Sequence, residues 1–161
     1  MTLGSLRQAA LALAGLLALS AASVAQAQTD CGGPPTGVKI VVKVDNVRTS
    51  QGLMAVTFYN DERKFLKSGG SLRVLREPAK APGQSICFWA PGPGDYAVVV
   101  YQDLDSNHKF AFNLLTGPKE PWGLTKNPPN LSIFSRPTFN QVKFAAHPGD
   151  NMVQVSLNYP K

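Results

Sequence analysis

Alternating apolar and polar positions, the two-residue period of a half-buried strand, recur along this chain. Residues 38–44 alternate valine and isoleucine with lysine, and residues 153–159 alternate apolar with polar side chains in the same way. Residues 53–59 (LMAVTFY) and 96–101 (YAVVVY) are apolar at almost every position. The first two segments are predicted strands with one buried face. The third is predicted to lie centrally in its sheet, and the fourth is the clearest core strand of the chain.

Turn-forming residues divide much of the remaining chain into short elements. Residues 49–52 (TSQG) are predicted to form a hairpin turn, residues 61–66 a single helical turn, and residues 91–95 (PGPGD) a further turn. Shorter strands are expected at residues 72–75, 86–89 and 142–144. About seven short strands without a long helix predict an all-β fold, an antiparallel β-sandwich.

One connection, from about residue 103 to residue 138, interrupts the alternation of strands and turns. It is rich in proline, glycine and asparagine, and it is predicted to be one long irregular loop. Structureless connections of this length are uncommon in compact domains and often carry function.

The first 27 residues have the three-part pattern of a secretory signal peptide. Arg7 precedes a short apolar run, and the small residues that follow end in Ala25-Gln-Ala27, so cleavage is expected after Ala25 or Ala27. The apolar run of the leader is shorter than the roughly 20 residues that span a bilayer, which favours a cleaved signal peptide over a membrane anchor. No transmembrane segment is expected in the mature chain. The predicted organisation is a signal peptide (1–27), a lead-in (28–37) and a single β-sandwich domain (38–161) of a periplasmic or extracellular protein.

Export determines how the two cysteines of the chain, Cys31 and Cys87, are interpreted. In an oxidising compartment an isolated pair most simply forms one structural disulfide. The alternative is a reactive thiol, which the sequence supports poorly because it has no Cys-x-x-Cys motif and no histidine near either cysteine.

Composition excludes several classes of function. Two histidines and two cysteines are too few for a multi-histidine metal cage or a zinc module, and no G-x-S-x-G motif accompanies them, so no catalytic residues are predicted. The net charge is +6, or +5 without the leader, whose one charged residue is Arg7. Because the cations are scattered along the strands, an anionic envelope component or a glycan is a more natural partner than nucleic acid.

The acidic loop after the strand at 96–101 is the best candidate for chemistry. Oxygen-bearing side chains stand at Asp103, Asp105 and Asn107, the D-x-D-x-N spacing that opens many calcium loops, and Glu120 could add a carboxylate. The sixth loop position, where calcium loops need glycine, is His108. The alternative is a polar surface loop built from Asx-turns.

Aromatic side chains lie close to this acidic stretch in the sequence. Phe112 and Trp122 could face a ligand, by stacking on a sugar or lying at a lipid interface, or they could form a small core of the loop itself.

Several segments resemble a bacterial family, domain of unknown function 2141. Residues 92–103 (GPGDYAVVVYQD) are similar to its P-x-G-x-Y-A-V-x-V-x-x-D segment, and the following Asp105, Asn107 and Lys109 to its D-x-N-x-N-G-K loop. Residues 117–123 (GPKEPWG) and 137–144 (PTFNQVKF) resemble two later motifs in the family's order. The resemblance implies export, an immunoglobulin- or transthyretin-like sandwich and no established activity.

Three functions are consistent with these patterns. The first is a non-enzymatic binding or accessory module in the cell envelope. The second is a calcium-binding module that uses the acidic loop at 103–120. The third is a basic protein that holds anionic surface polymers.

Overall fold

The structure is a computed structural model that describes residues 31–129 and 136–160, so the predicted leader lies outside the described residues. The strands found within these residues are β1 (Val38–Asp45), β2 (Leu53–Tyr59), β3 (Arg73–Pro78), β4 (Gln84–Trp89), β5 (Gly94–Asp103), β6 (Phe112–Asn113), β7 (Gly117–Pro118), β8 (Trp122–Leu124), β9 (Phe144–Ala146) and β10 (Gly149–Ser156). A 3-10 turn (Glu62–Lys64) and a short helix α1 (Phe139–Val142) accompany them. The predicted all-β class is confirmed.

Two sheets form the layers of the domain. The first has the order β10-β1-β4, and the second has the order β3-β2-β5-β8, with β9 pairing one end of β5. The pairing is antiparallel except between β1 and β10, which run parallel in the register Val38↔Gly149 to Asp45↔Ser156. The sandwich is therefore antiparallel apart from this one pair of strands.

The main core lies between the two sheets and explains the alternation in β1. Val38, Ile40, Val42 and Val44 are all buried there, whereas Lys43 on the opposite face is exposed. Side chains of β2, β4, β5 and β10 fill the same core, among them Phe58 and Phe88, whose ring centroids are 4.6 Å apart.

A second, smaller core covers part of the outer face of the second sheet. It joins Tyr59 and Ala97 of this face to Phe65, which follows the 3-10 turn, and to Phe139 and Val142 of helix α1. The Phe65 ring meets those of Tyr59 and Phe139 edge-on. Because both faces of β2 and β5 are covered, these strands are apolar on both faces, as their sequences predict.

Three sequence predictions need correction or refinement. Residues 49–52 do not close a hairpin, because β1 and β2 belong to different sheets. The strand expected at 142–144 is wrong, since Val142 ends helix α1 and β9 begins only at Phe144. The connection at 103–138 is less irregular than predicted, because its described part contains the β6–β7 hairpin and β8.

The lead-in is fixed to the first sheet. Cys31 and Cys87 form the predicted disulfide, and Gly32 exchanges two backbone hydrogen bonds with β4. On the other side, β8 meets the segment after β10, where Trp122 and Asn158 exchange backbone hydrogen bonds. Within the described part of the chain, no helix reaches the length and apolar character that a membrane span requires.

Candidate functional site

Three of the four predicted cation ligands come together at the end of β5. Asp103, Asp105 and Glu120 each place one carboxylate oxygen within 4.8 Å of the other two. Asp103 is fully buried and Glu120 is 4% exposed, whereas Asp105 is exposed. Asn107, the fourth predicted ligand, lies against this cluster, because its amide nitrogen donates to Asp105 Oδ2 at 2.7 Å.

Backbone N–H groups compensate much of the negative charge of this carboxylate cluster. Asp103 accepts from the amides of Asn107 (3.1 Å) and His108 (2.8 Å). Glu120 accepts from the amides of Leu104 (3.1 Å) and Ala111 (3.0 Å). Hydrogen bonds to ionised acceptors are about twice as strong as neutral ones, so these two side chains hold both ends of the loop.

The chemistry of the cluster fits a hard divalent cation. A carboxylate oxygen that accepts one N–H retains a lone pair, and oxygen ligands from several carboxylates are what Ca²⁺ selects. His108, at the position where calcium loops need glycine, has a φ of +66°, so it adopts the left-handed conformation that glycine would adopt. The arrangement therefore organises the loop by itself and also gathers carboxylates of the kind that bind Ca²⁺.

A cleft of about 1220 Å³ lies on the outer face of the second sheet, next to this loop. Six aromatic side chains line it: Tyr59, Tyr101, Phe110, Phe112, Trp122 and Tyr159. Phe112, which is 47% exposed, and the half-buried Trp122 are the two aromatics that the sequence suggested as ligand-facing. Both border the same cleft.

The cleft walls come from strands and from loops. Tyr101 and Trp122 are paired neighbours on β5 and β8, and the Phe110 ring lies 5.2 Å from the Tyr101 ring. Tyr59 belongs to the second core and is only 8% exposed, and this burial raises the pKa of its hydroxyl. The floor of the cleft is therefore formed by strands β5 and β8, and one wall is formed by the β6–β7 hairpin.

The charged side chains that line the described part of the cleft are all positive. Lys67 and Arg136 line it, and no aspartate or glutamate does so among the described residues. Neither cation takes part in the ion pairs found between described residues. Arg48 adds a positive charge at the edge, with its guanidinium 4.0 Å from the centre of the Tyr159 ring.

Sequence reasoning missed most of the cleft because it did not assign faces to β5. Tyr101 and Val99 alternate with residues of the main core along YAVVVYQD, so a period-two reading of this strand identifies its outer face. Lys67, Arg136 and Tyr159 carry no comparable signal, since only the tertiary fold brings these distant residues to one surface.

These features define a class: an all-β domain of two packed sheets with an aromatic, cationic cleft beside an acidic loop. A family model described as "Uncharacterized protein conserved in bacteria (DUF2141)" matches residues 42–154. The chain belongs to this family, as its motifs suggest. No curated protein and no solved structure matches the chain.

Proposed function

We propose that the protein is an exported, non-enzymatic binding module that holds an acidic oligosaccharide in its aromatic cleft. One observation carries the proposal. Aromatic faces and two exposed cations, Lys67 and Arg136, line the same large concavity, and the described residues contribute no acidic side chain to it.

The chemistry of the lining suits a sugar polymer that carries negative charges. The C–H faces of sugar rings stack on aromatic rings such as Phe112 and Trp122, and hydroxyl groups bond to amides such as those of Asn127 and Asn158, which also line the cleft. Lys67 and Arg136 supply partners for carboxylates. A volume of about 1220 Å³ exceeds that of most pockets for a single small molecule, so it suits an oligomer.

Export and the absence of catalysis belong to the same proposal. Residues 1–27 have the pattern of a secretory leader, and an isolated disulfide suits a periplasmic or extracellular protein. The sequence offers no nucleophile motif, and a module that only binds needs none.

Calorimetric titration with a galacturonate hexamer, compared with a glucose hexamer, tests the proposal. We expect the acidic oligomer to bind more tightly, and its affinity to fall with added salt because the charges are screened. Phe112→Ala should weaken binding about three- to tenfold, the value of one aromatic contact. Lys67→Gln with Arg136→Gln should reduce the preference for the acidic oligomer.

Leu115→Ala provides the matched control, because Leu115 is exposed on the same hairpin and does not line the cleft. Its binding should equal that of the wild-type protein. Failure of both oligomers to bind would overturn the proposal, and cleavage of either one detected by mass spectrometry would contradict a non-enzymatic role.

A second candidate function is calcium binding by the carboxylate cluster, and the convergence of Asp103, Asp105 and Glu120 within 4.8 Å favours it. Bound Ca²⁺ would lock the loop from which the β6–β7 hairpin projects and would fix Phe112 at the cleft. If Ca²⁺ binds only the folded protein, a concentration one hundred times Kd raises the free energy of unfolding by about 2.7 kcal/mol. That corresponds to a rise in Tm of roughly 10 °C.

Thermal unfolding in millimolar Ca²⁺ tests this second candidate. We expect a rise in Tm that Asp105→Asn abolishes, because Asp105 is exposed and the substitution removes a ligand charge without disturbing the core. Asp150→Asn, at another exposed carboxylate, should respond to Ca²⁺ like the wild-type protein. An unchanged wild-type Tm, or an equal rise in Asp105→Asn, would exclude the site.

A further inference from the structure

The tip of the β6–β7 hairpin exposes adjacent apolar side chains. Leu114 and Leu115 are 83% and 86% exposed, more than any other large hydrophobic residue of the described chain. Neither residue lines the cleft, so the proposed sugar site does not account for them. Contiguous exposed apolar groups of this kind mark interaction surfaces.

Two backbone N–H groups of the tip already have hydrogen-bond partners within the hairpin. The Asn113 side chain accepts hydrogen bonds from the amides of Leu115 (2.8 Å) and Thr116 (3.1 Å). Backbone N–H groups that enter lipid without a partner are costly, and these two already have one.

The two exposed charges that directly flank the hairpin are both positive, and the nearest exposed carboxylate in the sequence is Asp105, four positions before Lys109. Lys109 and Lys119 flank it and are exposed, and the sequence between them contains no acidic residue. Lys119 donates its backbone N–H to the Ala111 carbonyl at 2.9 Å, which places it at the base of the hairpin. Glu120, the nearest carboxylate in sequence on that side, is 4% exposed and accepts two backbone amides.

We propose that the hairpin tip inserts into an anionic lipid surface and holds the protein at a membrane. Two strand residues and the turn separate Lys119 from the leucines, a span of about 10 Å. That is the depth over which interfacial elements place apolar groups below the headgroups and cations among the phosphates. The leucines then reach the acyl boundary while the two lysines contact the phosphates.

Co-sedimentation of the full chain with vesicles tests the inference. We expect binding to vesicles of phosphatidylethanolamine and phosphatidylglycerol, and at least tenfold weaker binding to phosphatidylcholine vesicles. Leu114→Ser with Leu115→Ser should lower the affinity at least tenfold, because it removes the apolar groups that enter the lipid. Lys109→Gln with Lys119→Gln should lower it severalfold and reduce its dependence on salt.

Met152→Ser is the matched control, since Met152 is 64% exposed on β10, in the other sheet. Its vesicle binding should equal that of the wild-type protein, and all variants should keep the wild-type Tm because the altered side chains are exposed. Absence of wild-type binding, equal binding by the double leucine variant, or a dimer in solution that this variant abolishes would overturn the inference. None of these outcomes depends on the sugar site.

Discussion

At the scale of single residues, the acidic loop depends on a close approach that only glycine permits. Gly52, just before β2, has a φ of +70°, and a Cβ placed there would lie 2.0 Å from the Asp103 carbonyl oxygen and 2.8 Å from Leu104 Cα. Both contacts are with backbone, so no rotation of a side chain relieves them. The pairing of β2 with β5, which positions Asp103, therefore requires a residue without a side chain at position 52.

Gly52→Ala should therefore lower the free energy of unfolding by more than the cost of placing alanine in a left-handed conformation. Gly69 has nearly the same φ, +67°, with nothing within 4 Å of its added Cβ. We expect Gly69→Ala to cost about 1 kcal/mol for the left-handed conformation, and Gly52→Ala about 1–3 kcal/mol more for the clash. Urea unfolding of both variants measures the difference. Equal costs would mean that the loop shifts freely away from Gly52.

At the scale of elements, the loop after β5 is held at both ends by one buried carboxylate. Glu120 lies between β7 and β8 and joins Leu104, at the start of the loop, to Ala111, at the base of the β6–β7 hairpin. The orientation of this hairpin, and with it the cleft wall and the exposed tip, therefore depends on this side chain.

Glu120→Gln should destabilise the protein by about 2–3 kcal/mol. An amide offers one acceptor oxygen, so its NH₂ group must face one of the two backbone N–H donors, and a charge-assisted hydrogen bond is lost. Urea unfolding at neutral pH measures the cost, and hydrogen exchange should show lost protection at Leu104 and Ala111. Glu62→Gln, at an exposed position, should change stability by less than about 0.5 kcal/mol. Similar costs for both variants would contradict the role assigned to Glu120.

The elements also show how far sequence reasoning extends. β1 alternates apolar and polar residues, and β2 and β5 are apolar on both faces. Both patterns are local properties of the sequence, so the sequence predicts these strands correctly. Strand partners are not local. β1 pairs with β10, whose residues lie more than a hundred positions away, and the segment at 49–52, which the sequence predicts to close a hairpin, instead connects two different sheets. Within the acidic loop, the D-x-D-x-N spacing identifies Asp103, Asp105 and Asn107 as candidate ligands, but only the fold brings a carboxylate oxygen of Glu120 within 4.8 Å of those of Asp103 and Asp105.

At the scale of the whole molecule, the two sheets are held together along one side and the lead-in is attached to the other. Trp122 on β8 bridges to Asn158 beyond β10, which connects the second sheet to the first. At the β4 edge, Gly32 and the disulfide attach residues that precede β1. The disulfide therefore fixes the lead-in to a strand whose cysteine lies 56 positions further along the chain.

Removal of this disulfide should destabilise the protein chiefly through the unfolded state. Closing a loop across a separation of 56 residues restricts the unfolded chain by about 4 kcal/mol in the loop-entropy description. Cys31→Ala with Cys87→Ala should therefore lower the free energy of unfolding in urea by about that amount, with the folded spectrum unchanged. The wild-type protein under reducing conditions should match the double variant. A loss below about 1 kcal/mol would show that the lead-in is already restrained in the unfolded chain, and that the fold does not need an oxidising compartment for its stability.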